Sequence, residues 1–339
     1  MNLLPSAEQD EIVTSSASFL ATNMPSSRVR ALVAEAENVD AEIWRSCGEL
    51  GWFALGLSED AGGVGGSLAD EVLLFREIGR SLAPGPYVTT VLGARVAALG
   101  GAPDLAGAIV GGTSRVALAV TDHDTDVAPE RVAGSLQLLD AVGADHALVV
   151  TPEVALLIAT ADLRDGVDAV CIDEATRLTI GRVDDAPAVA SLSVGSDAVY
   201  RRGIVMTAAV LVGIAEATRD LAAEHATSRV QFDRPIGVNQ GVKHPCADMA
   251  VRGEAAWAQT VVAALAHDEG RHDADDHAGS AWLVAADAAE RNAAATLQVL
   301  GGMGFTFEHD VNLYVKRAHV LTNGLADRRN VLDRLLVRA

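Results

Sequence analysis

Aromatic residues are scarce in this chain, 4% of 339 residues, although half of the sequence is hydrophobic. Alanine, valine and leucine supply most of that half, so the core is expected from small side chains packed helix against helix, and an aromatic-rich sandwich is excluded. Basic residues are also few, 26 against 46 acids, for a formal net charge of −20. Nucleic acids and anionic membranes need a basic face that neutralises phosphates, so neither is expected as a partner. Cysteine is limited to Cys47, Cys171 and Cys246, an odd number with no CxxC spacing. That excludes a disulfide framework and predicts free thiols in a reducing cytoplasm. The longest nearly uncharged run, Gly203 to Ala215, is well short of the roughly 20 residues a membrane span requires. The opening MNLLPSAEQDEIV places acids where a signal peptide carries lysines and an apolar core. Together these absences predict a soluble, cytoplasmic protein.

The pattern along the chain divides it into a helical region over 1–112, a β region over 113–195 and a second helical region over 196–339. In the first, AEQDEIVTSSASFLATNM, VDAEIWRSCGELGWFALGL and LADEVLLFREIGRSLAP repeat apolar residues three and four apart. The cluster Gly62-Gly63-Val64-Gly65-Gly66 follows a helix, not a strand, so it reads as a tight loop and not as a dinucleotide fingerprint. In the second, RVALAV, SLQLLD, HALVVT, VALLIA, VDAVCI and RLTIGRV are short, β-branched runs split by Asp, Gly or Pro, which predicts a small antiparallel barrel or sandwich. In the third, helical runs cover 200–228, 240–268, 278–300 and 308–336, and the apolar residues of the first nearly encircle it, as in the middle of a four-helix bundle. The class is α+β by segregation of helix and strand.

Two stretches carry chemistry. RVQFDRPIGVNQGVKH spaces Arg229, Phe232 and Gln240 three and then eight residues apart, in an elbow between two helices. QVLGGMGF runs from Gln298 to Phe305. These resemble the R-x-x-F-G-x-x-I…Q elbow and the Q-x-x-G-G-x-G-[YF] segment of the acyl-CoA dehydrogenase family, and GELGWFALGLSEDAGGVGGS resembles that family's leading helix and glycine loop. The resemblance runs over essentially the whole chain. It implies the helical, β and four-helix-bundle architecture of that family, and FAD as cofactor. It assigns Arg229 to the FAD pyrophosphate, as a planar and permanently charged fork. Phe232 would pack on the cofactor, Gln240 would bond its polar parts, and Gln298 would reach the adenosine half. Gly301 and Gly302 would admit close backbone approach. In the family these groups cross a subunit interface into the neighbour's flavin site.

The family's reaction takes a proton from the carbon α to a thioester, which needs a placed carboxylate. One family position, twenty-six residues before the elbow arginine, falls on Gly203, with Tyr200, Arg201 and Arg202 beside it. The other falls on Leu325 or, aligned on the following glycine, on Asn323. No catalytic residue is therefore assigned. The β region departs as well: Thr121-Asp122-His123-Asp124-Thr125-Asp126 and Leu136-Gln137-Leu138-Leu139-Asp140 stand where the family holds its own flavin ring. The half-site lent to a neighbour is intact while the half-site used at home is eroded.

The expectation is thus a subunit of an α2β2 acyl-CoA dehydrogenase, sharing FAD with a homologous partner that supplies the glutamate. It is most similar to the base-lacking subunits that actinobacteria use on CoA thioesters of sterol side chains, and the steroid substrate follows from that resemblance alone. Two alternatives stand beside it: a homomeric dehydrogenase with a displaced base such as Asp327, and a structural homologue without flavin. HDEGRHDADDH, with His267, His272 and His277, has a spacing that places no metal-binding face on a helix and reads as a solvated turn. The tryptophans Trp44, Trp52, Trp257 and Trp282 are assigned to the core.

Overall fold

A computed structural model describes residues 3–193 and 198–338. In chain order it has α1 (Ala7–Asn23), α2 (Ser26–Ala34), α3 (Ala41–Glu49), α4 (Leu68–Ser81), α5 (Tyr87–Leu99) and α6 (Pro103–Val110). The strands β1 (Val116–Thr121), β2 (Asp126–Ala128), β3 (Arg131–Leu139), β4 (His146–Val150), β5 (Val154–Ala159), β6 (Arg164–Ala169), β7 (Leu178–Pro187) and β8 (Ala190–Ser193) follow. Then come α7 (Val199–Ser228), β9 (Val230–Gln231), β10 (Arg234–Pro235), α8 (Gln240–Asp268), α9 (Ala274–Leu300), α10 (Val311–Leu321) and α11 (Arg328–Arg338). Among the described residues no helix is long and apolar enough to cross a membrane.

The chain packs as two compact units, one of 1–26, 72–83 and 205–339 and the other of 27–71 and 84–204. We call them the helical unit and the sheet unit. In the sheet unit, strands run in the order β6-β7-β3-β1-β4-β5-β8, with β2 beside β3. The expectation of a purely antiparallel β region is corrected at one place: β1 and β4 pair in parallel, Val116 opposite His146 and Leu118 opposite Leu148. The sheet is mixed because β3, the hairpin partner of β1, occupies its other edge, which leaves β4 to enter from the far side. Val132, Leu136, Leu138, Ala147, Val149, Leu156 and Ile158 form its core. The aromatic residues cluster near α3, where Trp44 stacks with Phe53 and Tyr87 at centroid distances of 4.6 and 4.7 Å.

The helical unit is held by α7, α8 and α9. Small residues let α4 and α7 touch backbone to backbone: a Cβ on Gly213 would lie 2.1 Å from the Arg76 carbonyl, and one on Gly79 2.1 Å from that of Val210. Glu216, buried on α7, then accepts from Arg76 at 2.7 and 2.8 Å and from Arg80 at 2.9 Å. Asn292 of α9 ties the three long helices together, donating to the carbonyls of Ala215 and Met249 at 2.9 and 3.0 Å. Its oxygen accepts from Arg252 at 2.9 Å. Such a fully bonded buried amide sets helix register at little net cost. The fourth helical run, expected over 308–336, is divided into α10 and α11 by the loop 322–327. Asn323 and Gly324 stop the first piece, and Asp327 starts the second by accepting from the Asn330 amide at 3.0 Å. Trp44, Trp52 and Trp282 are core residues as expected, whereas Trp257 is half-buried with the Arg76 guanidinium 4.5 Å over its ring.

Candidate cofactor site

All six expected cofactor residues lie in the helical unit. Helix α7 ends at Ser228, and Arg229 follows it directly, its amide donating to the His225 carbonyl at 2.9 Å. The chain then makes a two-residue hairpin in which Gln231 faces Arg234 and Val230 faces Pro235. Phe232 and Asp233 form its tip with φ of 54° and 63°. Positive φ at both central positions marks a type I′ two-residue hairpin, a conformation usually given to Asn-Gly. Holding an aromatic there costs about 1 kcal/mol or more, and it leaves the Phe232 ring 95% exposed. Gly237 seats the hairpin on α7, since a Cβ there would approach the Ala226 carbonyl to 2.9 Å.

The Arg229 guanidinium is exposed and makes no ion pair or side-chain hydrogen bond among the described residues. In an acidic chain that is an exception with a local cause. From His225 to His244 the sequence carries Arg229, Arg234 and Lys243 against the single acid Asp233. Gln240, the first residue of α8, and Gln298, in the last turn of α9, are also exposed, with side-chain amides that bond to nothing else described.

The segment after α9 has the three glycines of the motif, and they differ. Gly301 has φ 61° and ψ −137°, a conformation suited only to glycine. A Cβ on Gly304 would meet the Leu297 carbonyl at 3.0 Å, so that residue answers to internal packing. A Cβ on Gly302 would meet nothing of this chain within 4 Å. Nearby Met303, Phe305 and Phe307 stand in solvent, the two rings 71% and 75% exposed. The elbow and this segment share one end of the helical unit. Thr296 of α9 donates to the Thr218 carbonyl of α7 at 2.8 Å, and burial, then Arg229 and His309, hold the His225 ring below its ordinary value. His225 and His309 escaped the motif reading. Their only signals in the sequence are that His225 lies one helical turn before Arg229 and that His309 sits in the loop after the glycines.

A guanidinium without a counter-ion, two unspent amides and an open glycine backbone form a donor set suited to the diphosphate and polar edges of a dinucleotide such as FAD. The set is exposed to solvent, so it is available to complete a site on another chain.

At the expected base positions the structure holds other work. Gly203 is buried in the first turn of α7, in the sheet unit. Its neighbour Arg202 forms a buried ion pair with Glu71, their side chains 5% and 2% exposed. Gly56 makes room for the pair, because a Cβ there would lie 2.1 Å from the Glu71 carboxylate. Asn323 donates its amide to the His319 carbonyl at 2.9 Å, Leu325 is half-buried, and the Asp327 carboxylate caps α11. The histidine-rich turn is knit by Arg271, which binds Asp273 at 2.6 and 2.8 Å and holds that carboxyl well below the usual carboxylate range. His277 faces Arg271 and Gln259 at 3.4 and 3.3 Å.

Comparison with known proteins bears on the family and the fold. The models of the acyl-CoA dehydrogenase N-terminal and C-terminal domains match residues 6–105 and 201–324. The chain is 33% identical to acyl-CoA dehydrogenase IpdE2 of Mycobacterium tuberculosis over 347 aligned residues, covering 98% of each protein. Its fold superposes on the solved Tcur3481-Tcur3483 steroid ACAD with a TM-score of 0.84 at 24% identity, covering 97% of this chain and 96% of that one. It also superposes on the ChsE4-ChsE5 complex of Mycobacterium tuberculosis with a TM-score of 0.83 at 22% identity, covering 99% and 98%.

Proposed function

The chain belongs to the acyl-CoA dehydrogenase family, and from that premise we propose that it is one subunit of a heteromeric, FAD-dependent enzyme, completing the flavin site of a homologous partner and carrying no catalytic base of its own. The observation that carries this reading is Arg229. An acidic protein has many carboxylates with which to neutralise a guanidinium, yet this one faces solvent unpaired beside a strained hairpin that holds Phe232 outward. Neither feature serves the chain that bears it.

In the complex, Arg229 would neutralise the diphosphate of the partner-held FAD, and Phe232 would cover one face of the cofactor and exclude water. Gln240 and Gln298 would hydrogen-bond its polar edges, and Gly302 would let the backbone come close. FAD held there would supply the hydride acceptor for α,β-desaturation of a CoA thioester, and a carboxylate of the partner would take the α proton. The lack of a base here is supported by what fills the family's positions: a glycine beside the Arg202–Glu71 pair, a half-buried leucine, and an amide spent on a helix end. Asp327 is committed to its cap, which speaks against a displaced base. An acyl-CoA with a steroid-derived side chain as substrate, and an α2β2 assembly, are supported by the likeness to IpdE2, to the steroid ACAD and to the ChsE4-ChsE5 complex.

The test is co-expression with a homologous subunit that has the glutamate, followed by measurement of bound flavin. Arg229→Ala should leave the complex assembled and weaken FAD binding roughly ten- to a hundredfold, the worth of one or two charge-assisted bonds. Unchanged flavin content would refute the shared site. A yellow protein from this chain alone, bleached by acyl-CoA, would refute the division of labour.

A further inference from the structure

We propose that Met303 and Phe305 form an apolar anchor by which this chain grips the homologous partner subunit. The inference rests on the reading of a shared flavin site, and it adds the protein surface that brings the two halves of that site together.

Three observations support it. First, composition: from Gln298 to Phe307 the chain runs QVLGGMGFTF, ten residues without a charge in a protein of which 21% is charged. Aromatics are scarce, yet Phe232, Phe305 and Phe307, three of the six phenylalanines, are exposed, and Met303 is 48% exposed. Methionine and aromatic residues are enriched, and most charged residues depleted, at the centre of a protein interface. Second, rigidity: the segment that carries the two side chains is held in one shape. Gly301 turns the chain out of α9, its amide donating back to the Gln298 and Leu297 carbonyls. Gly304 is buried against the last turn of α9, where a Cβ would meet the Leu297 carbonyl and the Leu300 side chain at 3.0 Å. That contact pins the backbone between Met303 and Phe305 and leaves both side chains in solvent. The Met303 carbonyl accepts from the Thr306 hydroxyl at 2.8 Å and from its amide at 3.2 Å. From the first turn of α10, the Asn312 side-chain amide donates to the Gly304 carbonyl at 3.0 Å and also to that of Thr306. A slack loop would fold its apolar groups back onto the chain, whereas this one holds them outward. A surface ordered in advance loses little further freedom on binding. Third, position: Met303 follows Gly302, whose backbone is open to another molecule. A body that brings a cofactor to Gly302 brings its own surface onto the next three residues. Phe307 stands apart, because its ring already lies under the Lys316 ammonium at 5.3 Å.

The occupant is an uncharged, apolar patch of the flavin-holding subunit at the border of its cofactor site. The exposed residues of this end then divide by task. Arg229 and the two glutamines set flavin affinity, and Met303 with Phe305 sets the strength of assembly.

The experiment uses this chain co-expressed with the homologous subunit that has the glutamate. It reads the subunit dissociation constant by sedimentation over a dilution series, and the FAD dissociation constant of the assembled complex by flavin fluorescence. Phe305→Ser should weaken assembly roughly ten- to a hundredfold and Met303→Ser about tenfold. Kept well above the subunit dissociation constant, both complexes should bind FAD as the parent does. The melting temperature of the chain alone should not fall, because both side chains are exposed. Parent-like assembly in the double variant Met303→Ser with Phe305→Ser would overturn the proposal. So would intact assembly with weakened FAD binding, which seats these side chains on the cofactor. Self-association of this chain alone, lost in the double variant while the mixed complex is unaffected, would make the occupant a second copy and overturn it too. Arg229→Ala separates the anchor from the reading beneath it. Weaker FAD binding in Arg229→Ala beside a parent-like double variant removes the anchor and leaves the shared site. Parent-like FAD binding in Arg229→Ala beside lost assembly in the double variant removes the shared site and leaves the anchor.

Discussion

Replacing Gly213 by alanine is the sharpest single test of how the helical unit is assembled. The added methyl would lie 2.1 Å from the Arg76 carbonyl oxygen, 2.7 Å from the Arg80 nitrogen and 3.0 Å from a Gly79 carbon. All three are backbone atoms and cannot turn aside. Restoring ordinary contact requires α4 and α7 to separate by about 1.3 Å at this point. That movement stretches the 2.7 to 2.9 Å bonds from Arg76 and Arg80 to buried Glu216 beyond hydrogen-bond range. Overpacking costs about 1–3 kcal/mol, and loosening the bonds to a buried carboxylate costs a similar amount. Alanine's better helix propensity returns about 1 kcal/mol. The net loss is about 1–5 kcal/mol, or roughly 1–7 °C in melting temperature for a chain of 339 residues. Gly253→Ala is the matched control: it too is a buried helical glycine, but its Cβ would meet only a Glu216 side-chain carbon at 3.8 Å. Differential scanning calorimetry should show Gly213→Ala melting early and Gly253→Ala melting no lower than the parent. Equal melting of the two variants would refute close helix contact as the reason for Gly213.

Glu71→Gln leaves Arg202 charged in a site where both side chains are almost fully buried, and should destabilise by about 3–5 kcal/mol in urea titration. The double change Glu71→Leu with Arg202→Met should recover most of that loss. Asp327→Ala removes the cap of α11, so amide exchange in that helix should quicken by about 1 kcal/mol of protection while turnover of the assembled complex stays unchanged. A collapse of turnover would instead mark Asp327 as the base. Burial holds His146 below its ordinary value, so the native ring stays neutral where the unfolded ring begins to charge. Stability is then full above about pH 6.5 and declines as the pH falls from that unfolded value through the lower folded one. His146→Gln should flatten this acid limb of the denaturation midpoint, and an unaltered limb would show that His146 does not contribute.

The six β-branched runs of the middle region correspond to β1, β3, β4, β5, β6 and β7, because β-branched composition between Asp, Gly and Pro breakers is recorded in the sequence itself. Strands β2 and β8 are three and four residues long and too short to show a period. The parallel pairing of β1 with β4 was hidden for another reason: side-chain pattern fixes which face of a strand is buried, not the direction of its neighbour. The division of the last helix was written in Asn323-Gly324 and Asp327, but the apolar residues on either side keep enough helical spacing to mask it. At the candidate site, motif spacing located the elbow and the glycines. It could not show what charge reaches the His225 ring, which depends in part on His309, in a loop far downstream in the sequence. The separate duties of Gly302 and Gly304 likewise depend on what surrounds each backbone atom, which no local pattern records.

The hairpin at the end of α7 has a bearing on how such a protein is made. Its Phe232 ring stands exposed at the tip, with the Phe305 ring exposed as well. On the proposed two-subunit reading, a chain synthesised without its counterpart would offer those rings to any neighbour in the cell, and its solubility would become a matter of stoichiometry. Matched synthesis of the two polypeptides would protect this surface as effectively as any change in the sequence.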